Sequence, residues 1–333
     1  MIFSKKIPRS IGMLCAFVLA AGGCTAVIWR MHTHSTDQAL PSNTLYVMDT
    51  ICTITAPESL QEPLAETMRQ LDDQLDCYDA ESVVSRCNQS GTSQDTMLYD
   101  LVTQVQTAQQ QDGVKVDVTI GALTALWGIT TDHPKVPTAA QRQQALATVS
   151  PEHVAAKDGT VSLSGGAQLD FGAVAKGYAM DQAAAVLNQS DASYAIVSME
   201  SSMVLYGAKP NGKPFVISVR DPDGEGILGT IETPACFLST SGGYERYFTA
   251  EDGTVYEHIL DPQTGMPVET DLKTVTVLCD SGLRSDLLST EIYMEGTAGL
   301  ERHLQATDYQ VLAEDQNGQI YVSNGLHFTK RAD

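Results

Sequence analysis

Polar and aromatic side chains are concentrated in one segment of the chain, STSGGYERYFTAEDGTVYEHILDPQTGMP at residues 239–267. A β-hairpin needs only alternating residues and turn residues, so the surplus indicates the wall of a binding or catalytic site. His258 precedes Asp261 by three residues, and a histidine near a carboxylate can act as an acid/base pair. A lone histidine in a strand more often has a structural role. His258 is therefore a candidate base with a structural alternative.

Asp286 and Thr290 form a second candidate site. They lie four residues apart in SDLLST, a segment expected to open a helix at Ser285, and this spacing places both side chains on one helix face. Carboxylate and hydroxyl oxygens are hard ligands of the kind that Mg²⁺ prefers. The same residues suit an ordinary helix start, in which Ser285 caps the helix and Asp286 complements its dipole. From the spacing alone, this structural explanation is favoured.

A third segment, LDFGAVAKGYAMD at residues 169–181, is expected to lead into an alanine-rich helix. Gly172 and Gly177 allow close approach of another backbone or a ligand. Lys176 is the only cation in this stretch. Its structural role would be that of a solvated helix charge.

In this order and spacing, the three segments resemble the ApbE family, the FAD:protein FMN transferases. The resemblance extends from about Leu45 to Ile320. It implies Mg²⁺-dependent transfer of FMN from FAD, the substrate, to a threonine or serine hydroxyl of an acceptor protein, with release of AMP. The acceptors that it implies are exported or membrane redox proteins with a threonine-containing motif of Ser-Gly-Ala-Thr character.

The same resemblance implies residue roles. His258 would be the catalytic base, and Ile259 would line the flavin site through its backbone. The implied magnesium site consists of Asp286, Thr290, the neighbouring small residue Ser289 and the backbone carbonyl of Ala173. The other implied contacts with FAD are Met48, Tyr78, Leu126, Trp127, Gly128, Asp170 and Lys176. Without the resemblance, Trp127 would be expected in the core.

One segment departs from the family pattern. Family members commonly carry a Gly-Gly pair after the strand at residues 194–197, where this chain has Ser198-Met199-Glu200-Ser201-Ser202. This departure leaves open whether the tight turn and its backbone contacts are kept, and substrate preference could differ for this reason.

Two other functions share the same site and remain open at the level of the sequence. A Mg²⁺-dependent FAD pyrophosphatase would replace the acceptor hydroxyl with water and give FMN and AMP. A flavin-binding lipoprotein would bind without turnover. His258 argues against this pure binder, because binding alone has little need of a base.

The hydrophobic periodicity predicts an α+β fold with mainly antiparallel sheets flanked by helices, because strands come in runs with helices grouped between them. One domain of two lobes at residues 44–330 is the simplest organisation. Helices are expected at 60–75, 97–111, 138–146, 174–187, 286–295 and 298–306, and strands at 45–55, 194–198, 215–220, 235–240, 255–260 and 274–279, with two short strands near Val311 and Tyr321.

A GxGxxG match at residues 224–229 is not a dinucleotide fingerprint. The sequence TIETP follows it, and the proline excludes the long helix that such a fingerprint must open. A hairpin loop is expected instead.

Residues 1–30 are expected to be a signal peptide or membrane anchor, followed by a linker at 31–43. Three basic residues precede a run of 19 uncharged residues, Ile11–Trp29, which is long enough to span a bilayer. Ala21-Gly22-Gly23-Cys24 resembles a lipobox, although Leu19 lies five rather than three residues before the cysteine. A lipidated cysteine and an uncleaved anchor both remain open. Both place the domain at the cell membrane, on the extracytoplasmic side.

The chain is acidic, with 41 Asp and Glu against 20 Lys and Arg and a net charge of −21. This charge argues against a nucleic-acid partner, which requires a basic face. A phosphate-bearing ligand would need a metal ion or backbone donors to offset repulsion. The cysteines after residue 43 are Cys52, Cys77, Cys87, Cys236 and Cys279. They form no CxxC pair, so neither a zinc site nor a dithiol site is predicted.

Overall fold

A computed structural model describes residues 39–224 and 226–332, which combine helices with antiparallel sheets. The helices are α1 (Glu58–Leu75), α2 (Val83–Ser90), α3 (Thr96–Asp112), α4 (Gly121–Trp127), α5 (Ala139–Leu146), α6 (Ala175–Asn188), α7 (Gly282–Glu295) and α8 (Thr297–Leu304). The strands are β1 (Ser42–Val47), β2 (Thr50–Thr55), β3 (Thr92–Ser93), β4 (Val154–Lys157), β5 (Thr160–Leu163), β6 (Tyr194–Met199), β7 (Ser202–Gly207), β8 (Phe215–Arg220), β9 (Ile227–Thr233), β10 (Cys236–Ser241), β11 (Tyr247–Thr249), β12 (Val255–Glu257), β13 (Leu272–Cys279), β14 (Gln310–Asp315), β15 (Ile320–Val322) and β16 (His327–Lys330).

The largest sheet has eight strands in the order β1-β2-β6-β7-β10-β13-β14-β15. Every pairing within it is antiparallel. Strand β13 is buried along nearly its whole length, as expected for a strand covered on both faces. The predicted α+β class with antiparallel sheets flanked by helices is confirmed.

Two cores lie on opposite faces of this sheet. Helices α1, α3, α6 and α7 enclose the larger core, to which β13 contributes Val275 and Val277. The smaller core lies beneath the β8-β9-β16 sheet and takes Leu278 from β13. The alternation along β13 thus sends successive side chains to opposite layers. A shift of one residue would send every side chain of β13 to the other layer, so burial of apolar side chains on both faces fixes the register of this strand.

The six predicted helices are all present, with ends that differ by at most four residues. Thr138 caps α5 with a full capping box, as its sequence indicates. The connection between β8 and β9 joins two antiparallel strands, so the hairpin predicted at the GxGxxG match is confirmed.

The single strand predicted at residues 45–55 is wrong, because β1 and β2 form a hairpin. Its two turn residues, Met48 and Asp49, have positive φ angles of 50° and 56°. Glycine and asparagine are the usual residues in such turns. Methionine gives no turn signal, so the apolar alternation extends through the turn in the sequence.

The predicted start of α7 is also wrong. The helix begins at Gly282, and Ser281 is its cap, accepting a hydrogen bond from the Arg284 amide at 3.3 Å. Asp286 therefore lies inside the helix, beyond its first turn. Strand β12 ends at Glu257, so His258 follows the strand rather than lying in it. Helices α2 and α4 and strands β3, β4, β5, β7, β11 and β16 were not predicted. Most of them are short, and short elements give little periodicity.

The residues from Ala39 onward form one compact unit. Strand β1 begins at Ser42, two residues inside the segment predicted as a linker. The predicted anchor at 1–30 and the lipobox cysteine lie outside the described residues. Within residues 39–224 and 226–332, no helix is both long and apolar enough to cross a membrane. The five cysteines of this part are free thiols.

Candidate active site

Turns and helix ends from many parts of the chain converge on one cavity of ≈ 470 Å³. This volume is within the range of cofactor and ligand sites. Ten of the residues predicted to form the site line the cavity: Met48, Tyr78, Trp127, Asp170, Ala173, Lys176, His258, Ile259, Asp286 and Thr290. The fold thus brings together most of a set that is dispersed in the sequence.

Asp286 joins α7 to the start of α6. Its Oδ2 accepts a hydrogen bond from the Gly177 amide at 2.6 Å, and its Oδ1 accepts one from the Ser202 hydroxyl at 2.9 Å. The two helices meet at Gly177 and Gly282, where a Cβ added to either glycine would clash with the other's carbonyl. Only glycine permits this approach of two backbones. The contact between the two helices in turn fixes the position of Asp286 on the cavity wall.

The cavity wall contains oxygen ligands suited to Mg²⁺. In a regular helix the Gly177 amide would donate to the Ala173 carbonyl, but Asp286 engages this amide instead. Asp286 and Thr290 are 6% and 8% exposed, and with Ala173 they line the cavity. One carboxylate, one hydroxyl and one carbonyl are hard ligands. The described residues contain no cluster of three or more His, Cys, Asp or Glu side chains that could hold a metal, so a metal here would rely on the mixed set.

The charge of the wall favours such a cation. Eight carboxylates and three cationic side chains line the cavity: Asp49, Asp72, Asp76, Asp117, Asp170, Glu200, Glu245 and Asp286 against Lys176, Arg220 and Arg246. An anionic ligand would meet net repulsion unless a metal ion or backbone donors offset it. The residues present therefore fit Mg²⁺ as a partner of a phosphate-bearing ligand.

His258 is held in one orientation by the main chain. Its Nδ1 lies 3.1 Å from the Arg246 carbonyl oxygen, and because a carbonyl can only accept, Nδ1 carries the proton and Nε2 keeps a lone pair. Loss of water around this half-buried ring, with repulsion from Lys176 and Arg246, lowers the pKa of His258 to about 4. The imidazole is thus neutral at physiological pH and can accept a proton.

Asp261 does not assist His258, contrary to the pairing predicted from the sequence. Its Oδ1 accepts a hydrogen bond from the Gln263 amide at 2.7 Å, and its Oδ2 accepts one from the Thr264 hydroxyl at 3.0 Å. Asp261 therefore closes its own turn and is absent from the cavity wall. The backbone of Arg246 performs the orienting role that the sequence suggested for this carboxylate.

Three predicted residues lie behind the cavity wall rather than on it. Ser289 is fully buried, donates to the Asp286 carbonyl at 3.0 Å and pairs with the Ser241 hydroxyl at 2.9 Å. Gly128 ends α4 with a left-handed φ of 62°. Leu126 precedes it on α4, away from the cavity.

Trp127 has both a packing role and a place at the cavity. Its ring is fully buried and lies 5.2 Å from that of Tyr256. Its indole N–H donates to the Gly265 carbonyl at 2.9 Å. Trp127 therefore holds the turn that follows His258, which is the core packing expected without the resemblance, and it also lines the cavity.

Exposed parts of the wall mark the cavity mouth at the β1–β2 turn and at Arg246, which directly precedes β11. Arg246 contacts the Asp49 carboxylate at 3.4 Å and donates to the Asp49 carbonyl at 3.1 Å. The Met48 amide is anchored to Asp72 at 2.9 Å. Tyr78 is 52% exposed at this mouth, where an aromatic ring is available for stacking with a flat ligand.

Asp170 lies on the part of the cavity wall next to Cys77 and Tyr78. Its Oδ2 accepts a hydrogen bond from the Thr124 hydroxyl at 2.6 Å, and its Oδ1 accepts one from the Gly172 amide at 2.8 Å. Ile259 lines the cavity, but its carbonyl accepts the Val268 amide at 2.9 Å. Any backbone contact of Ile259 with a ligand must share this carbonyl or use another atom.

The tight turn that the departure at residues 198–202 puts in question is present. Met199 pairs with Ser202, so that only Glu200 and Ser201 make the turn between β6 and β7. Glu200 adopts a φ of 48°, a conformation that glycine would adopt without strain. The departure also adds a contact, because the Ser202 hydroxyl donates to Asp286.

Comparison with known proteins identifies the family. The model of the ApbE family matches residues 48–313. The chain belongs to the ApbE family. A curated FAD:protein FMN transferase of Klebsiella pneumoniae is 29% identical over 277 residues, covering 80% of this chain and 85% of that protein. A curated FAD:protein FMN transferase of Treponema pallidum is 28% identical over 253 residues, covering 70% and 69%.

Solved ApbE structures share the fold. The ApbE protein of Thermotoga maritima superposes with a TM-score of 0.79 at 27% identity, covering 85% of this chain and 96% of that one. The apo form of the flavinyl transferase ApbE from Pseudomonas stutzeri gives a TM-score of 0.73 at 28% identity, covering 87% and 94%. The antiparallel architecture around the cavity is thus that of ApbE proteins.

Sequence reasoning missed several polar residues of this ApbE site. Ser241 lies 3.1 Å from the Thr290 hydroxyl, Ser202 contacts Asp286, and Thr124 contacts Asp170. Each is a small hydroxyl residue in or beside a regular element. No local pattern distinguishes such a residue from an ordinary surface serine or threonine, so only the fold reveals its role.

Proposed function

We propose that this chain is a Mg²⁺-dependent FAD:protein FMN transferase. It would transfer FMN from FAD to a threonine or serine hydroxyl of an exported or membrane redox protein and release AMP. The names of its relatives support flavin transfer to a protein. The single observation that carries the proposal is the anchored, neutral His258 on the same cavity wall as the oxygen ligands of Asp286 and Thr290.

Asp286, Thr290 and the Ala173 carbonyl would hold Mg²⁺, whose charge would offset that of the FAD pyrophosphate. Lys176, in the first turn of α6, lines the same wall and would add a second positive charge beside the pyrophosphate. The exposed ring of Tyr78 and the β1–β2 turn at Met48 would contact the flavin end. These groups bind and orient; they take no part in bond making.

The chemical step is a displacement at phosphorus. The acceptor hydroxyl oxygen bonds to the FMN-side phosphorus of FAD while the bond from this phosphorus to the bridging oxygen breaks and AMP leaves. The hydroxyl proton goes to Nε2 of His258, whose Nδ1–H remains on the Arg246 carbonyl. Such general-base catalysis contributes roughly 10²–10⁴ in rate, and positioning and electrostatics supply the rest.

The test is incubation of the protein with FAD, Mg²⁺ and a peptide containing Ser-Gly-Ala-Thr, followed by mass measurement of the peptide. The expected result is addition of one FMN, which is lost when valine replaces the threonine. Release of free FMN and AMP at the same rate with both peptides would make the chain a pyrophosphatase. Tight FAD binding with no product in either case would make it a flavin-binding protein.

We also propose that residues 1–30 tether the enzyme to the membrane, with the catalytic domain on the extracytoplasmic side. The uncharged run Ile11–Trp29 after a basic start supports this. Fractionation of cells expressing the full chain and a chain that begins at Ala39 tests it. We expect only the full chain in the membrane fraction; equal distribution of the two would contradict a tether.

A further inference from the structure

A second cavity of ≈ 430 Å³ lies between the segment that follows His258 and the C-terminal half of α7. Pro262 and Met294 line both this cavity and the proposed active site. An occupant of the second cavity would therefore lie next to the site of phosphoryl transfer. We call it the Glu291 cavity, after the side chain that distinguishes it.

Glu291 is a buried carboxylate with one oxygen that lacks a partner. The residue is 1% exposed, and its Oε2 accepts the amides of Lys115 and Val116 at 2.6 and 3.1 Å. Its Oε1 is buried, has no hydrogen-bond partner, and belongs to a residue of the cavity wall. A buried acceptor without a donor costs free energy, which a ligand that donates to this oxygen would recover.

Two of the other carboxylates of this wall are engaged, and the third, Glu269, is exposed. Glu295 bonds to Arg302, and its Oε2 lies 3.0 Å from His303 Nε2. Asp261 closes its own turn, with the Gln263 amide donating to it at 2.7 Å. Glu291 is therefore the carboxylate of this wall that holds an unpaired, buried oxygen.

The charge and shape of the Glu291 cavity favour an organic cation. Four carboxylates and one lysine line it: Asp261, Glu269, Glu291 and Glu295 against Lys115. Met266, Val268 and Met294 add an apolar part to the wall, and apolar surface suits the methylene stem of a lysine or arginine.

We propose that the Glu291 cavity binds a cationic side chain, arginine or lysine, of the acceptor protein at a position close in sequence to the flavin-accepting hydroxyl. This inference rests on the proposed transferase function. The charged head would donate to Glu291 Oε1, and the stem would lie along the methionines. The net charge of −21 would also attract a basic acceptor segment over longer range.

Binding of small probes tests the cavity without any turnover. N-acetyl-arginine amide is compared with N-acetyl-citrulline amide, which has the same shape without the charge, by titration calorimetry. We expect the arginine probe to bind at least about tenfold more tightly, as an added charged hydrogen bond supplies, and Glu291→Gln to remove this preference. Equal binding of the two probes, or an unchanged preference in Glu291→Gln, would overturn the proposal.

Two further variants keep the test decisive if Glu291→Gln folds poorly. Glu251→Gln makes the same charge change on an exposed loop that lines neither cavity, and it should bind like the parent. Lys115→Gln changes an exposed side chain on the wall and removes a like charge, so it should bind the arginine probe several-fold more tightly. Weaker binding in Lys115→Gln would contradict the cavity's preference for cations.

Peptide acceptors link the cavity to transfer. Ser-Gly-Ala-Thr peptides carrying arginine or citrulline at each of the six positions on either side of the motif are compared by kcat/KM. We expect arginine to lower KM at one or two positions, and this advantage to vanish in Glu291→Gln. If no peptide accepts FMN, the transferase proposal fails while the probe titration still decides the cavity. If all peptides react equally, the transferase stands and the cationic-side-chain proposal falls.

Discussion

At the scale of the residue, the proposed proton transfer would depend on one imidazole whose tautomer is set by a backbone carbonyl. Arg246 supplies that carbonyl to His258 at 3.1 Å, while its guanidinium contacts Asp49 at the cavity mouth. One residue therefore orients the base and also holds the entrance. Because a carbonyl cannot take up a proton, it fixes the ring without competing for the proton that the reaction releases.

Replacement of His258 should separate catalysis from binding. His258→Asn can keep the donor to the Arg246 carbonyl but has no base, so we expect kcat to fall by about 10²–10⁴ and FAD affinity to change little. Flavin fluorescence measures binding, and peptide mass measures transfer. His153→Asn is the matched control, because His153 Nδ1 also contacts a carbonyl, that of Thr148 at 2.9 Å, outside the cavity wall. Equal losses of binding and transfer in His258→Asn would make this ring a ligand contact.

The acid limb of the pH profile should reflect the lowered pKa of His258, about 4. The base works when unprotonated, so kcat/KM for FAD should hold from pH 8 down to about pH 5 and fall below that. Lys176→Met removes a cation that disfavours the imidazolium and should move the limb to higher pH. Lys157→Met, on an exposed strand residue, should leave it in place. An acid limb near the ordinary pKa of histidine in the parent enzyme would contradict the assignment of His258 as the base.

At the scale of the element, the junction of α6 and α7 forms the side of the cavity that is proposed to hold Mg²⁺. Both helices begin there, and the Asp286 carboxylate of α7 accepts a hydrogen bond from the Gly177 amide of α6. The carboxylate that would bind Mg²⁺ thus also accepts hydrogen bonds that stabilise the fold. A substitution that keeps an acceptor oxygen and one that removes it are both needed to separate the two roles.

Asp286→Ala and Asp286→Asn should differ in stability and agree in activity. Alanine leaves the Gly177 amide and the Ser202 hydroxyl without their acceptor, which costs roughly 1–3 kcal/mol per unsatisfied group. Asparagine keeps one acceptor oxygen and should unfold closer to the parent in urea. Both variants should lose Mg²⁺-dependent turnover. An unchanged Mg²⁺ midpoint in Asp286→Asn would exclude this residue as a ligand.

The sequence predicts helices well and turns poorly in this chain, for physical reasons. Long helices such as α1 and α3 bury one regular apolar face, and that periodicity is readable. The turns at Met48 and Glu200 use residues without a turn preference, so the surrounding sheet imposes their positive φ angles. The same limit applied to the site: motif residues were found, but the Arg246 carbonyl acts through its backbone, which no side-chain pattern reveals.

At the scale of the whole molecule, the edge strand β1 begins inside the segment that the sequence assigns to a linker. The Pro41 carbonyl accepts the Gln61 side-chain amide at 2.9 Å and the Ala56 amide at 3.3 Å. Ser42 and Asn43 pair with β2. The folded unit therefore depends on residues before Thr44.

Two truncations test this dependence. A chain that begins at Ala39 should be soluble and retain full FAD turnover, because it includes every contact of β1. A chain that begins at Thr44 loses the Pro41 acceptor and one end of the β1–β2 pairing, so its thermal midpoint should be lower by about 2 °C, the shift that a loss of about 1 kcal/mol produces in a folded unit of this size. Identical midpoints would show that Pro41–Asn43 contribute nothing to the fold.

The contact between Gly177 and Gly282 determines which wall of the cavity can move. Backbone packed directly on backbone leaves no side chain to change rotamer, so this wall has little freedom for local opening. The β1–β2 turn on the cavity wall is held instead by a few polar contacts, such as those of Arg246 with Asp49 and of Asp72 with the Met48 amide. Exchange of FAD for AMP should therefore proceed by displacement of this turn alone. Amide hydrogen exchange would record this as slow exchange at Gly177 and fast exchange at Met48–Thr50, the latter slowing when FAD is bound.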